Sequence, residues 1–545
     1  LEQHFIERTI TDPLLHELRI PATTFLKGTI RKCSANTTIA RKTKMISRRR
    51  FIQATAAAVL VPVQWMQAET KVLFSNKFKV PPLVQSTRSG ADVDFDLNVQ
   101  SGFSKFSEKF KSPTWGINHP FLGVTLRANK GDRVHIKVKN SLDQTTTLHW
   151  HGVKLPAKAD SGPHQPIAPN AEWNTEFEVI QPAATLWYHS HQLHATGEQV
   201  YQGLAGMFII DDDASQQLGL PSDYGVDDFP VIIQERDFNA DGSFRYLTGI
   251  EDETMGKQGG LVLVNGVVNP VLKASKSLIR LRLLNASNAT IYHLSFDDQR
   301  EFHIIASDGG LLEEPIKAAG FTFATTGERL EILVDVSDGR MPVLQHRAMS
   351  MDMSDMEMSI WESLLMNIMS LVTDTNEENS MVDVFQIDAR QVTPEKVFIP
   401  SQLVTHDNTK SKISAKRTFT LEMLTGVESL LGFSDPFTIN GQAMDMERIN
   451  HEVKANTSEI WTIENTTMMA HPFHIHNVQF KILAKHGEIH GHELGYKDTV
   501  LVQPGEKVQM LLNFPEFTDA DTPYMYHCHI LEHEDGGMMG QFVVV

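Results

Sequence analysis

The sequence predicts an all-β protein of three sandwich or barrel units. From residue 70 onward, short alternating strands are separated by turn residues, as in domains of that kind. One strand pattern also recurs three times, at Val134–Asn140, Ile279–Asn285 and Ile460–Asn465, each alternating and each ending in asparagine before a polar turn. The first two units close on similar runs, Gly206–Asp211 and Leu330–Asp335, and the third closes at Gln541–Val545. Acidic and proline-bearing stretches near 213–226 and 390–415 read as linkers, so the units are placed at 69–213, 226–390 and 396–545.

The residues before this body read as an address. Ser47-Arg48-Arg49-Arg50-Phe51-Ile52 resembles a twin-arginine export signal. The apolar run Ala54–Val63 is too short for a permanent span, and Met66-Gln67-Ala68 offers a cleavage point. Residues 45–68 are therefore expected to be a signal peptide that directs the folded chain to the periplasm through the twin-arginine export machinery. Met45 is the natural start of such a signal, and residues 1–44 are expected to be non-native upstream sequence without function.

Charge and cysteine count exclude several classes. The net charge is −18; residues 1–68 carry 11 Lys+Arg against 4 Asp+Glu, +7, which leaves −25 for the rest. An acidic body lacks the basic footprint of nucleic-acid binding, and no stable membrane insertion is expected. Two cysteines, Cys33 and Cys528, exclude a disulfide framework and a cysteine-rich zinc or iron–sulfur site. Cys33 falls in the upstream segment, so Cys528 carries the chemistry.

Histidine placement points to that chemistry. Chance would give about one His-x-His pair among 24 histidines in this length, and the chain has five. His490-Gly491-His492 lies in a glycine-rich loop and reads as chance. The others, His149/His151, His189/His191, His474/His476 and His527/His529, lie in strand-like contexts, where residues i and i+2 share a face and two imidazoles can converge on metal. Two pairs belong to the first unit and two to the third, which asks for a site between the terminal units with the middle one as spacer. His471, Cys528, His533 and Met538 supply two imidazoles, a thiolate and a thioether, the ligand set of a blue-copper electron-transfer site. Zinc has no use for the thioether and moves no electrons.

The stretches HWHG, WYHSH, HPFHIH and HCHILEHEDGGM resemble the four copper-binding motifs of multicopper oxidases, over about residues 72–545. Within that family the chain is most similar to bacterial copper-efflux and laccase-like enzymes. The resemblance implies three cupredoxin-like domains and four copper ions, one type 1, one type 2 and two type 3. It implies that His149 and His474 hold the type 2 ion, and that His151, His189, His191, His476, His527 and His529 hold the type 3 pair. By the same resemblance His471, Cys528, His533 and Met538 would form the type 1 site. Electrons from a donor at type 1 would reduce O₂ to water at the cluster. Asp160 and Glu534 match positions where relatives keep proton-relay acids.

The donor stays open between Cu(I), which is favoured, and phenols. Residues 347–372 carry Met349, Met351, Met353, Met356, Met358, Met366 and Met369, interleaved at first with Asp352, Asp355 and Glu357. Thioethers select Cu(I), although methionine is also adaptable core filler. Met351, Asp355 and Met469 match an extra substrate-copper site of the copper-efflux relatives. Against this, Thr467 stands where those relatives have an aspartate ligand, and the insert is shorter and lacks histidine. A nitrite reductase would share the type 1 set but not four His-x-His pairs. A non-catalytic copper-binding relative would have lost several of the twelve ligands, all of which are present.

Overall fold

A computed structural model describes residues 74–545 apart from 85, 324, 348–379, 407–411, 424–436 and 490. The export signal, Cys33 and the methionine segment with Met351 and Asp355 lie outside the described residues. The described chain is all-β, with six sheets that pair around three apolar cores. Among the described residues no helix is long and apolar enough to cross a membrane.

The three recurring strands occupy equivalent places. Arg133–Asn140, Leu278–Asn285 and Ser458–Asn465 each run parallel to an upstream strand (Asp92–Ser104, Asp228–Arg236, Ile413–Met423). Each runs antiparallel to a downstream one (Glu172–Glu178, Arg329–Asp335, Lys507–Asn513). The terminal asparagine explains the shared ending. Asn140 Nδ2 donates to the carbonyls of Gln144 and Ile167 while its Oδ1 accepts from Leu142 N. Asn285 does the same with Thr290, Thr325 and Ser287, and Asn465 with Met469, Val502 and Thr467. One buried amide thus satisfies three backbone groups where the chain leaves the sheet, groups that would be costly to bury unpaired.

Alternation is modified in the middle unit, where nearly the whole strand Leu278–Asn285 is buried. Ile279, Leu281 and Leu283 face the core, while Arg280 and Arg282 face the first unit and are neutralised there. Arg282 pairs with Asp228 and Glu331, Arg280 pairs with Glu331, and Thr185 of the first unit donates to Glu331 Oε1 at 2.6 Å. The segment Asn76–Lys77 joins the same unit, pairing parallel with Pro270 and Val271. Three short helices, Thr196–Gln202, Ile250–Met255 and Leu531–Asp535, bring the units together. Asp535 accepts from the backbone N–H groups of Thr196 and Gly197 at the start of the first of these helices. Glu532 accepts from Lys257 N, Asn288 Nδ2 and Tyr246 Oη.

Glu331 gives the fold a pH dependence. Burial pushes its carboxyl up, but Arg280 and Arg282 outweigh this and bring it from 4.5 to about 2. The folded value lies below the unfolded one, so the carboxylate's stabilisation is complete above pH 4.5 and is lost as pH falls toward 2. Glu331→Gln should cost about 3 kcal/mol at neutral pH by leaving two buried guanidinium groups short of charge. It should also flatten the stability loss between pH 4.5 and 2, as read from denaturation midpoints across that range.

Candidate metal centre

Strand pairing brings the four His-x-His pairs together. His149 and His189 exchange both backbone hydrogen bonds, at 2.8 and 3.1 Å, which fastens the first pair to the second. In the third unit, strand His471–Ile475 runs antiparallel to Asp519–Cys528 with His474 opposite His527 and Phe473 opposite Cys528. Alternation then divides the triplet at residues 527–529. His527 and His529 face the histidine assembly, while Cys528 faces the apolar core of the third unit beside Met538 and Phe437.

The eight imidazoles are fully buried or nearly so. The Nε2 atoms of His191, His476 and His527 lie 3.2, 3.2 and 3.3 Å apart, a triangle of three donors. A second triangle joins His151 Nδ1 to His189 Nε2 at 3.4 Å and to His529 Nε2 at 3.3 Å. His149 Nε2 and His474 Nε2 are buried with no hydrogen-bond partner. Their rings stack on those of His476 and His151, at 3.9 and 3.7 Å between centroids.

Each ring is held from outside. His149 Nδ1 donates to the carbonyl of Asp160, His189 Nδ1 to Ser190, His474 Nδ1 to Asp498 and His527 Nδ1 to Cys528. A carbonyl only accepts, so these contacts fix the proton on the outer nitrogen and leave the inner lone pair free. His476 Nδ1 reaches Asp160 Oδ2 at 2.7 Å, and His151 Nε2 reaches Asp498 Oδ1 at 3.2 Å. His191 Nδ1 and His527 Nδ1 each lie 3.2 Å from an oxygen of Glu534. Thr326 uses its own proton on the carbonyl of His529, so its oxygen can accept from His529 Nδ1. Burial disfavours the charged form of His151, His189, His191, His474, His476 and His529, with His191 and His529 lowered to about 3. Neutral imidazoles with converging lone pairs repel one another unless a cation sits between them. The donor set therefore fits metal ions, and imidazole nitrogen suits copper among the transition metals it can bind, which include zinc, iron and nickel.

The fourth set, His471, Cys528 and His533, lies apart from the eight. Cys528 Sγ is 3.5 Å from His471 Nδ1 and 3.6 Å from His533 Nδ1, and the two nitrogens are 3.3 Å apart. Burial pushes the thiol up, so a thiolate here requires a bound cation. Met538 is fully buried in the same core, its carbonyl accepting from Cys528 N and its N–H donating to His533 O. The outer nitrogens are again occupied. Thr467 Oγ1 lies 2.8 Å from His471 Nε2, and the Thr254 carbonyl accepts from His533 Nε2 at 2.9 Å. Phe437 stacks on His533 at 4.1 Å and also lines a cleft of about 720 Å³ with Phe244, Tyr246, Glu532 and Asp535.

The eight histidines of the four pairs are thus brought together, His471, Cys528 and His533 form a group of their own with Met538 in the same core, and Asp160 and Glu534 lie beside the imidazoles. Met469 is buried in the third unit's core, with its carbonyl accepting from Thr467 Oγ1. One expectation needs correcting. The middle unit is not a spacer, because it supplies Thr326, Gly327 and Arg329 to the histidine assembly. Gly327 has φ +78°, and a Cβ there would stand 3.0 Å from His529 Nε2 and 3.1 Å from His151 Cε1. Sequence reasoning missed these residues and Asp498. They share no motif with the histidines and meet them only through the packing of three units.

Three cupredoxin-like sandwiches enclosing a buried histidine assembly, with a separate Cys-His-His-Met set, define a multicopper protein. Family models described as multicopper oxidase match residues 98–215 and 405–545. The multicopper oxidase mco of Staphylococcus haemolyticus is 37% identical over 478 residues, 86% of this chain and 92% of that protein. The cell division protein FtsP of Escherichia coli is 32% identical over 504 residues, 92% and 99% of the two chains. The crystal structure of a laccase from Pediococcus acidilactici superposes with a TM-score of 0.74 at 32% identity, covering 87% of this chain and 94% of that one. The chain belongs to the multicopper oxidase family.

The two-faced geometry of residues 527–529 predicts separable metal sets. Cys528→Ser should abolish the thiolate-to-copper absorption in the visible and remove about one copper per chain. The histidine-bound copper should remain, as read by metal analysis and electron paramagnetic resonance.

Proposed function

We propose that this chain is a working oxidase that couples one-electron oxidation of a donor at the Cys528 site to four-electron reduction of O₂ to water at the histidine assembly. The observation that carries this reading is the convergence of buried imidazole nitrogens, in the His191, His476 and His527 triangle and around His151, beside a separate group of His471, Cys528 and His533. When bound, copper supplies one-electron transfer at the thiolate and a place for O₂ to take up electrons among the imidazoles. His149 and His474 would hold the type 2 ion, and the two triangles would each hold one type 3 ion. The protein's part is to fix the ligand geometry, exclude water from the core around Cys528 and keep a short covalent route from Sγ to His527 and His529.

Water formation consumes four protons, and Asp160 and Glu534 are the carboxylates placed to pass them. Asp160 Oδ2 holds His476, while its Oδ1 is buried without a hydrogen-bond partner. The two oxygens of Glu534 lie 3.2 Å from His191 Nδ1 and His527 Nδ1, without a hydrogen-bond partner among the described residues. Asp160→Asn should keep the visible band while slowing O₂ uptake on the order of 100-fold. Unchanged turnover, measured with an oxygen electrode, would remove Asp160 from this role.

Cu(I) is the favoured donor, supported by the alternation of methionine and acid around Met351 and Asp355, and the role is then copper tolerance in the periplasm after twin-arginine export. A phenol-oxidising reading is favoured by the Phe437 cleft and by Thr467, whose hydroxyl occupies His471 where a carboxylate ligand would sit. The FtsP relative raises a non-catalytic reading. About four copper ions per chain together with O₂ uptake would support the oxidase, and copper-free protein with no uptake would support the other. Deletion of Met349–Met358 should lower uptake with Cu(I) and spare uptake with a phenol. Equal rates for the deletion and the parent would exclude the segment as a Cu(I) site.

A further inference from the structure

Asp498 holds two rings of the histidine assembly at once. Its side chain takes His151 Nε2 at 3.2 Å, and its carbonyl takes His474 Nδ1 at 2.7 Å. Among the eight assembled histidines, His151 turns Nδ1 inward and the other seven turn Nε2. The anchor explains the exception, since the Nε2 of His151 is committed to Asp498. The ring then stacks on that of His474, 3.7 Å between centroids and 13° from parallel.

Asp498 is itself gripped by the middle unit. Arg329 Nη1 reaches Oδ1 at 2.7 Å and Nη2 reaches Oδ2 at 2.6 Å, with both side chains fully buried. Arg329 also donates to the carbonyls of Thr185, Gly327 and Asp308, so its fork is anchored to the first and middle units. Asp308 in turn accepts from the backbone N–H groups of Arg329, Asp498 and Thr499. Gly152 has φ +85°, and a Cβ there would lie 2.6 Å from both Arg329 Nη2 and Asp498 Oδ2. Asp498 could be read as a metal ligand with His151 and His474, since their donor atoms are close. Both of its oxygens face the guanidinium, however, and a cation sharing them would sit against a fixed positive charge.

We propose that Asp498 and Arg329 are positioning residues through which the middle unit sets the tautomer and ring orientation of His151, and with it the second triangle of the assembly. This rests on the copper-binding reading of the assembly. The anchor acts through His151 and touches no reacting atom. Its loss should weaken copper at the histidine assembly and leave the Cys528 site intact, because no residue of the latter contacts Asp498 or Arg329 in the hydrogen bonds and ion pairs described.

The test compares copper-loaded parent protein with Asp498→Asn, Arg329→Lys and Gly152→Ala. The last removes no polar group and wedges the pair apart. Copper retained against a graded chelator is measured together with the visible thiolate band and the paramagnetic resonance of the histidine-bound ion. The expected result is an intact visible band, with histidine-bound copper lost at chelator concentrations about 10–100-fold lower than in the parent. Unchanged retention and resonance in all three variants would overturn the proposal. So would loss of both copper classes in equal proportion, or failure of all three to fold, because either would assign the pair to stability alone. If the parent protein holds no copper at the assembly, the functional reading fails instead.

Discussion

The structure depends on one electrostatic requirement, that eight imidazole lone pairs face one another in a buried space. Each ring must carry its proton on the outer nitrogen to leave the inner lone pair free, and burial raises the cost of charge at His151, His189, His191, His474, His476 and His529. The tautomer is secured at seven rings by hydrogen bonds to carbonyls, carboxylates and a threonine hydroxyl, while His191 Nδ1 lies 3.2 Å from Glu534 Oε1. In four cases the acceptor is a main-chain carbonyl, whose position is set by the same strands and turns that carry the histidines. The sheets thus act as the jig for the ligands. A fold with looser edges could not hold four such contacts without further side chains.

Burying such a set asks much of the interfaces around it. The remaining acceptors come from Asp160 of the first unit, Thr326 of the middle unit, and Asp498 and Glu534 of the third. No single sandwich could enclose the assembly and satisfy its outer nitrogens. The short helix Leu531–Asp535 shows how tightly the parts are shared, since Glu532 binds the middle unit, His533 faces Cys528, Glu534 reaches His191 and His527, and Asp535 binds the first unit's helix. A shift of this helix would disturb both metal sets and both interfaces together.

The local pattern was largely legible in the sequence. Alternation with period two marked the strands, and the terminal asparagines marked the places where they leave their sheets. The i, i+2 histidines announced their shared faces, and the same rule separates Cys528 from its neighbours. What sequence could not show was what approaches from another unit. Arg329 and Asp498 lie 169 residues apart and form an ion pair at 2.6 Å, yet neither stands in a motif. The role of Thr326 and Gly327 rests on a turn that carries no histidine. The reading of the middle unit as a spacer failed for this reason: its contribution is backbone, one arginine and a hydroxyl, none of which looks like a ligand.

The two ligand histidines of the Cys528 site differ in what lies beyond them, and that difference bears on the donor. His471 ends at Thr467, a hydroxyl that is itself buried and shared with Asn465 and Met469. A soft metal donor would need a charged or thioether ligand there, and Met469 is packed in the core. His533 ends at the Thr254 carbonyl, at a partly buried position, and its ring is covered by Phe437 on the cleft side. An aromatic donor lodged in that cleft would be separated from His533 by one stacked ring. Either donor would deliver its electron at the same Cys528 group, so the histidine assembly could serve both without change.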